Sequence, residues 1–208
     1  MIQVFTGTRG PGASATLDNM FRDRKRIFVD LLKWGVPVID GEFEADEFDT
    51  EHAIYLVSAG EDGEHLGSIR LLPTDRPHLM GSLFSFLCDA KVPAGREILE
   101  ITRGCLSPRL RAAERLRVRN RLTTAAVHYG MLHGIRSFTC IAESSWLTQI
   151  LSLGWDCEAL GEPRLIEGVI TGALQIGISA ETIAKLRAAG TYASSPLVLA
   201  DAAASLAA

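Results

Sequence analysis

From Thr16 onward, Leu17, Met20, Phe21, Ile27, Phe28, Leu31 and Leu32 recur at helical spacing, with Arg22, Arg24, Lys25 and Arg26 between them. That period predicts one amphipathic helix ending near Trp34-Gly35, where Gly35 and Pro37 stop it. Ile2–Phe5 reads as a short strand before it, joined by a Gly/Pro/Ser loop over Gly7–Ser14. Beyond the helix, Ala53–Ala59 and Leu66–Pro73 read as strands, with Gly60-Glu61-Asp62-Gly63 as a hairpin signal. A loop with an apolar tip (Leu83, Phe84, Phe86, Leu87) leads to a strand at Glu97–Leu106, then a long helix from Arg111 to His133. Ser137–Ala142 predicts a strand, Trp146–Leu153 a short helix, Arg164–Ile178 one or two strands and Glu181–Ala189 a last helix. Strands that begin in antiparallel order and later alternate with helices predict a three-layer mixed α/β domain. No repeat or linker interrupts it, so residues 1–193 are expected to be one domain, with 194–208 a loose Ala-rich tail.

The 208 residues suit one well-cored domain, and 47% hydrophobic with 22% charged residues is ordinary globular composition. A net charge of −4 argues against a generally nucleic-acid-binding surface. Met1–Ala15 lacks the apolar core of a signal peptide, and no apolar run reaches the ~20 residues a membrane helix needs. A cytoplasmic protein without a membrane partner is expected. Cys88, Cys105, Cys140 and Cys157 fit no zinc spacing and read as reduced thiols, and neither a metal nor a resident cofactor is expected.

Four sets of residues carry candidate chemistry. Arg24 and Phe28 share a helix face, with Trp34 at the helix exit. Glu44, Asp46 and Asp49 stand in an acidic run, Gly41–Glu51, whose carboxylates repel unless cations compensate them. Arg70 interrupts an apolar strand, where an unpaired guanidinium is not tolerated. Glu100 and Arg103 lie in another apolar strand, on opposite faces if it is regular and brought together only by a bulge. Three arginines against four carboxylates predict one buried electrostatic cluster, a costly device for stability alone and therefore a candidate active site.

In order and spacing, these residues resemble the acyl-homoserine-lactone synthases, the autoinducer synthases of bacterial quorum sensing. Ten positions carry the resemblance: Arg24, Phe28, Trp34, Glu44, Asp46, Asp49, Arg70, Phe84, Glu100 and Arg103. It covers roughly residues 2 to 165, past Gly154-Trp155, and departs at Gly104, where the family usually has a large apolar residue. The resemblance implies a fold like the GCN5-related N-acetyltransferases, a mixed, splayed sheet flanked by helices. It also implies two substrates, S-adenosylmethionine and an acyl thioester on an acyl carrier protein.

Under that resemblance Arg24, Phe28, Trp34, Asp46, Asp49 and Arg70 hold S-adenosylmethionine, and Arg103 belongs to the catalytic set. A carboxylate must take the proton of the attacking amine, Glu100 first and Glu44 second. Phe84, Gly104 and Thr139 are expected to line the acyl pocket, with the Thr139 hydroxyl selecting a 3-oxo chain. Arg111, Arg115 and Arg119, spaced by four, form a basic stripe for the acidic carrier protein. The nearest rival, an acetyl-CoA-dependent N-acetyltransferase, would want a glycine-rich turn where this chain has Ser107-Pro108-Arg109-Leu110-Arg111-Ala112. A nucleic-acid module built on the arginines from Arg109 to Arg121 is opposed by the overall acidity and by the absence of aromatic residues among them.

Overall fold

The computed structural model describes residues 1–7, 10–60 and 63–200. The chain divides into two compact units: Met1–Leu71, Arg103–Ala125 and Ala193–Ala208 form the first, Leu72–Thr102 and Ala126–Tyr192 the second.

The first unit holds β1 (Ile2–Phe5), α1 (Ala15–Arg24), β2 (Val38–Ile39), β3 (Phe43–Glu44), β4 (Ile54–Ala59) and most of β5 (His65–Pro73). Ser14 caps α1 by accepting from the Leu17 N–H at 3.2 Å. The helix expected over residues 16–34 is not uniform. After Arg24 it widens into a π-helix, Lys25–Leu31, closed by Leu32 N–H on Ile27 O and Trp34 N–H on Phe28 O. Lys33 takes φ 60° at the exit, so the chain turns sharply and Trp34 folds back onto Phe28.

β4 pairs antiparallel with both β1 and β5, as the hairpin signal predicts. Glu61 and Asp62 of that signal lie outside the described residues. Ser58 pairs with Gly67 but Ala59 pairs with His65, so Leu66 is an extra, bulged residue in β5. The bulge puts His65 on the same face as Ser68 and Arg70, the face that α1 covers. The opposite face receives α3 (Ala112–Leu132), and there Gly67 is required: a Cβ would stand 2.7 Å from Val118. The segment expected to be a loose tail contains β11 (Leu197–Leu199), which pairs in parallel with β1; 201–208 lie outside the described residues.

In the second unit α2 (Leu79–Leu83) and a 3₁₀ turn (Ser85–Leu87) replace the expected apolar loop. β6 (Ile98–Leu106) begins in this unit and pairs in parallel with β7 (Ser137–Glu143) from Ile98 to Ile101. β7 is followed by α4 (Ser144–Leu151), β8 (Asp156–Ala159), β9 (Arg164–Ile166), β10 (Val169–Gly177) and α5 (Thr182–Ala188). The strand order here is β6-β7-β10-β8, with β9 folded onto β10. One sheet face carries Ile141 and Ala173, packed with Met80, Leu87 and Phe84. The other carries Phe138 and Gly172, which meet Gly130 of α3 and Leu147 of α4. The fold is thus a mixed sheet flanked by helices. Among the described residues, no helix is long and apolar enough to cross a membrane.

Candidate active site

The acidic run is a built turn rather than a solvated loop. Asp49 N–H donates to Asp46 O, the Asp49 carboxylate accepts from Asp46 N–H at 2.8 Å, and Asp46 accepts from Phe48 N–H at 2.9 Å. Backbone donors therefore orient both side chains before any cation arrives, and Glu44 projects from the two-residue strand β3 just before them.

Three arginines close on these carboxylates. Arg24 forks onto Asp49 at 2.9 and 2.8 Å and turns its Nε to Glu44. Arg70 forks onto Asp46 at 2.6 and 2.9 Å and also reaches Asp49 at 2.8 Å. Arg103 donates to Glu44 at 3.0 Å and pairs with Asp46 at 2.6 Å. Its φ of 50° distorts β6 locally without ending the strand, where sequence periodicity left room for a bulge. Arg24, Glu44 and Arg70 are at most 1% exposed. Three guanidiniums on three carboxylates leave no formal excess charge, and bidentate geometry fixes each position.

The electrostatics follow from burial and pairing. Burial alone would raise the Asp49 carboxyl, but the Arg24 and Arg70 charges outweigh it and hold the group well below the usual carboxylate range. Burial would lower Arg24, yet Asp49 and Glu44 raise it well above the ordinary value. Burial dominates at Arg103, which is lowered.

Two residues here were not singled out from sequence. Tyr55, opposite Arg70 in the β4–β5 register, donates its hydroxyl to Asp49 at 2.9 Å. Phe21 lies under the Arg24 guanidinium, 4.9 Å from ring centroid to Cζ. A tyrosine in a strand and a phenylalanine on a helical stripe look like ordinary core, so only their three-dimensional neighbours mark them.

Phe28 and Trp34 stack face to face, centroids 4.7 Å apart and planes 5° from parallel. Arg103 stands 5.7 Å from the Phe28 ring. The π-helix makes this stack possible, leaving half-buried Trp34 as a platform at its outer end. A cleft of about 460 Å³ opens beside the acidic turn, lined by the Gly10–Gly12 segment and by Asp18, Asp40, Asp46 and Asp49. Such a lining favours a cationic ligand.

The second unit holds Glu100, Thr139 and Phe84. Glu100 is fully buried, and both its oxygens accept from Met80 N–H, at 3.0 and 3.2 Å. Thr139 lies directly opposite it in the β6–β7 register. The Thr139 hydroxyl is buried with no hydrogen-bond partner among the described residues, so the strand backbone around it does not satisfy it. Phe84 packs onto the Met80–Leu87–Ala173 cluster. Gly104, in the first unit, has nothing within 4 Å of where a Cβ would stand.

The expected basic stripe is not three equivalent cations. Arg111 is exposed, but Arg115 turns back to donate to the Leu106 and Ser107 carbonyls at 3.4 and 3.2 Å. Arg119 is half-buried and donates to Asn120 at 3.1 Å. The end of β6 offers carbonyls within reach of position 115, which i,i+4 spacing cannot reveal.

The chain is similar to known proteins over most of its length. A family profile described as autoinducer synthase matches residues 12–186. An acyl-homoserine-lactone synthase of Ralstonia nicotianae (strain ATCC BAA-1114 / GMI1000) is 31% identical over 168 residues, 78% of this chain and 82% of that protein. Among solved structures, a CoA-dependent acyl-homoserine lactone synthase, MesI, superposes with a TM-score of 0.81 at 28% identity, covering 95% of this chain and 98% of that one. TofI, in a ternary complex with an inhibitor and MTA, gives 0.74 at 27% identity over 90% and 96% of the two chains.

Proposed function

The chain belongs to the autoinducer synthases, acyltransferases that make acyl-homoserine lactones, and from that premise we propose that it acylates S-adenosylmethionine from an acyl-carrier-protein thioester. The observation that carries this reading is the buried cluster of Arg24, Arg70 and Arg103 with Glu44, Asp46 and Asp49, beside a stacked Phe28–Trp34 pair. S-adenosylmethionine brings a sulfonium, an ammonium, a carboxylate and a flat purine. Acidic walls suit the two cations, an arginine suits the carboxylate, and an aromatic platform suits the purine or sulfonium.

The chemistry has two steps. The methionyl amine, once deprotonated, attacks the thioester carbonyl; the amide C–N bond forms, the C–S bond breaks and the carrier thiol leaves. The proton goes to a carboxylate, directly or through a water. Glu100 is the better base. Both Glu44 oxygens already accept from guanidinium donors, which disfavours Glu44 in that role. In the second step the methionyl carboxylate oxygen attacks the carbon beside the sulfonium; the C–O bond closes the lactone as C–S cleavage releases neutral methylthioadenosine. No protein nucleophile is needed, and positioning supplies most of the rate. No resident cofactor takes part, and the reading places the enzyme in the cytoplasm.

Carrier docking falls to the arginines at the start of α3, with Arg111 just before the helix facing solvent and Arg115 and Arg119 partly engaged. The likeness to a CoA-dependent synthase favours a second reading in which acyl-CoA is the donor. Turnover with matched acyl-carrier-protein and acyl-CoA thioesters, followed by mass spectrometry of the lactone, separates them. A carrier-protein enzyme shows a lower KM for the carrier thioester, and Arg111→Glu with Arg119→Glu raises that KM in a salt-dependent way. Preference for acyl-CoA, insensitive to those reversals, would overturn the carrier-protein reading.

A further inference from the structure

One position before Arg24, a second buried network occupies the same end of α1. The carboxylate of Asp23, fully buried, accepts from Arg109 Nη1 and Nη2 at 2.9 and 3.0 Å and from Arg26 at 2.9 Å. His65 Nδ1 lies 2.9 Å from Asp23 Oδ2, and its Nε2 lies 3.0 Å from Ser68 Oγ. Burial would raise Asp23, but its bonds to His65 and Arg109 outweigh this and hold it ionised well below the usual range. Burial lowers His65, which is therefore neutral at pH 7. An ionised carboxylate only accepts, so Nδ1 carries the proton and Nε2 accepts from the Ser68 hydroxyl.

Ser, His and Asp thus stand in hydrogen-bonding order, but not as a nucleophile site. Ser68, His65 and Asp23 are each at most 1% exposed, so no substrate reaches the hydroxyl. Nor does Arg109 hold an anion, because its nitrogens are committed to Asp23, to Glu64 at 3.2 Å and to the His65 carbonyl at 3.1 Å.

The placement of the network gives it another use. Adjacent helix residues project about 100° apart. Asp23 therefore fixes one side of the turn whose other side presents Arg24 to Glu44 and Asp49. The π-helix carrying Phe28 starts one residue later. β5 supplies His65 through the Leu66 bulge and Arg70 five residues on, so a single strand anchors both networks. Bidentate forks tolerate only ~0.5 Å and 10–20° of misplacement, which makes helix rotation a sensitive quantity. We infer that Asp23, Arg109 and His65 are positioning residues: they set the rotation of α1 so that Arg24 holds Glu44 and the acidic turn at Asp49, and Phe28 its place beside Trp34, in the orientation that binds S-adenosylmethionine. This rests on the assignment of the Arg24 cluster to that substrate.

Arg109→Met in the full chain is the test, since Arg109 is 43% exposed and its loss leaves Asp23 with His65 and Arg26. Dissociation constant and KM for S-adenosylmethionine should both rise about tenfold, with kcat at saturation within about twofold and the acyl-donor KM unmoved. Arg109→Lys, which keeps one charged contact, should recover part of the affinity. Asp23→Asn should show the larger shift; if it fails to fold, the Arg109 pair still decides. A lower melting temperature with unchanged substrate affinity would make the network structural and overturn the inference. Arg24→Ala measured in parallel separates two failures. Affinity lost there but intact in Arg109→Met overturns the positioning role alone, whereas affinity intact in both overturns the assignment of the cluster itself.

Discussion

The two units differ in how much buried charge they carry. In the first, Arg24, Arg70 and Arg103 meet Glu44, Asp46 and Asp49 in reciprocal pairs, and Tyr55 adds a hydroxyl. In the second, an apolar cluster packs against β7 at Ile141, and Thr139 Oγ1 of that strand is buried without a partner among the described residues, as is His78 Nε2 at the start of α2. An unpaired buried hydroxyl costs about 1–3 kcal/mol, and it persists where a ligand can satisfy it. The contrast lies in the charges: the first unit holds a network of reciprocal ion pairs, whereas buried polar atoms without a partner among the described residues occur in both, Ser107 Oγ in the first and Thr139 Oγ1 and His78 Nε2 in the second.

The largest test breaks each side separately. Arg24→Ala, Asp46→Ala and Arg103→Ala should each abolish lactone production, because losing one member strands a buried charge at a cost of about 3–5 kcal/mol. Substrate affinity and folding stability should fall together. Glu100→Gln should instead lower kcat by about 10²–10⁴ with S-adenosylmethionine affinity nearly intact. Near-full turnover in a folded Arg24→Ala variant would make the cluster structural, and a Glu100→Gln defect confined to binding would move the base elsewhere.

An acid titration sharpens the contrast next. Asp49 and Asp23 both have carboxyls held below the usual range, against about 3.9 in an unfolded chain. A depressed folded value contributes stability fully present above the unfolded value and lost as pH falls below it. The melting temperature should therefore be nearly level from pH 7 to about 5 and fall progressively at lower pH. Hydrogen exchange at low pH should show α1 and β5 losing protection before β10. A melting temperature level down to about pH 3 would remove these carboxylates from the stability of the first unit.

The smallest effect probes the unspent hydroxyl. Thr139→Val keeps the shape and removes the donor, so the ratio of 3-oxo to unsubstituted product should fall several-fold, the equivalent of ~1 kcal/mol. Because Thr139 Oγ1 has no partner among the described residues, the variant strands none of their polar groups and should fold normally. An unmoved product ratio would show that Thr139 does not select the chain.

Element order was legible before folding was considered, because apolar periods of 3.6 and 2 are local properties. Strands at Ile2–Phe5 and Ile54–Ala59 and the long helix through Leu122 could be read that way. That a charge cluster exists was legible too, because a guanidinium such as Arg70 inside an apolar strand demands a partner, but Glu100, expected in it, lies in the second unit, apart from the pairs of Glu44, Asp46 and Asp49. What the sequence could not supply was the choice of partners. A carboxylate reads the same whether solvated or paired, so Asp23 was indistinguishable from a surface residue, and Arg115 from a free member of a basic stripe. Irregular backbone was equally hidden. The π-helix after Arg24, the Leu66 bulge and the positive φ of Arg103 each keep a helix- or strand-like pattern in sequence. These were decided by tertiary structure, because each local distortion is stabilised by contacts 20 to 86 residues away, from Arg24–Glu44 to Arg109–Asp23.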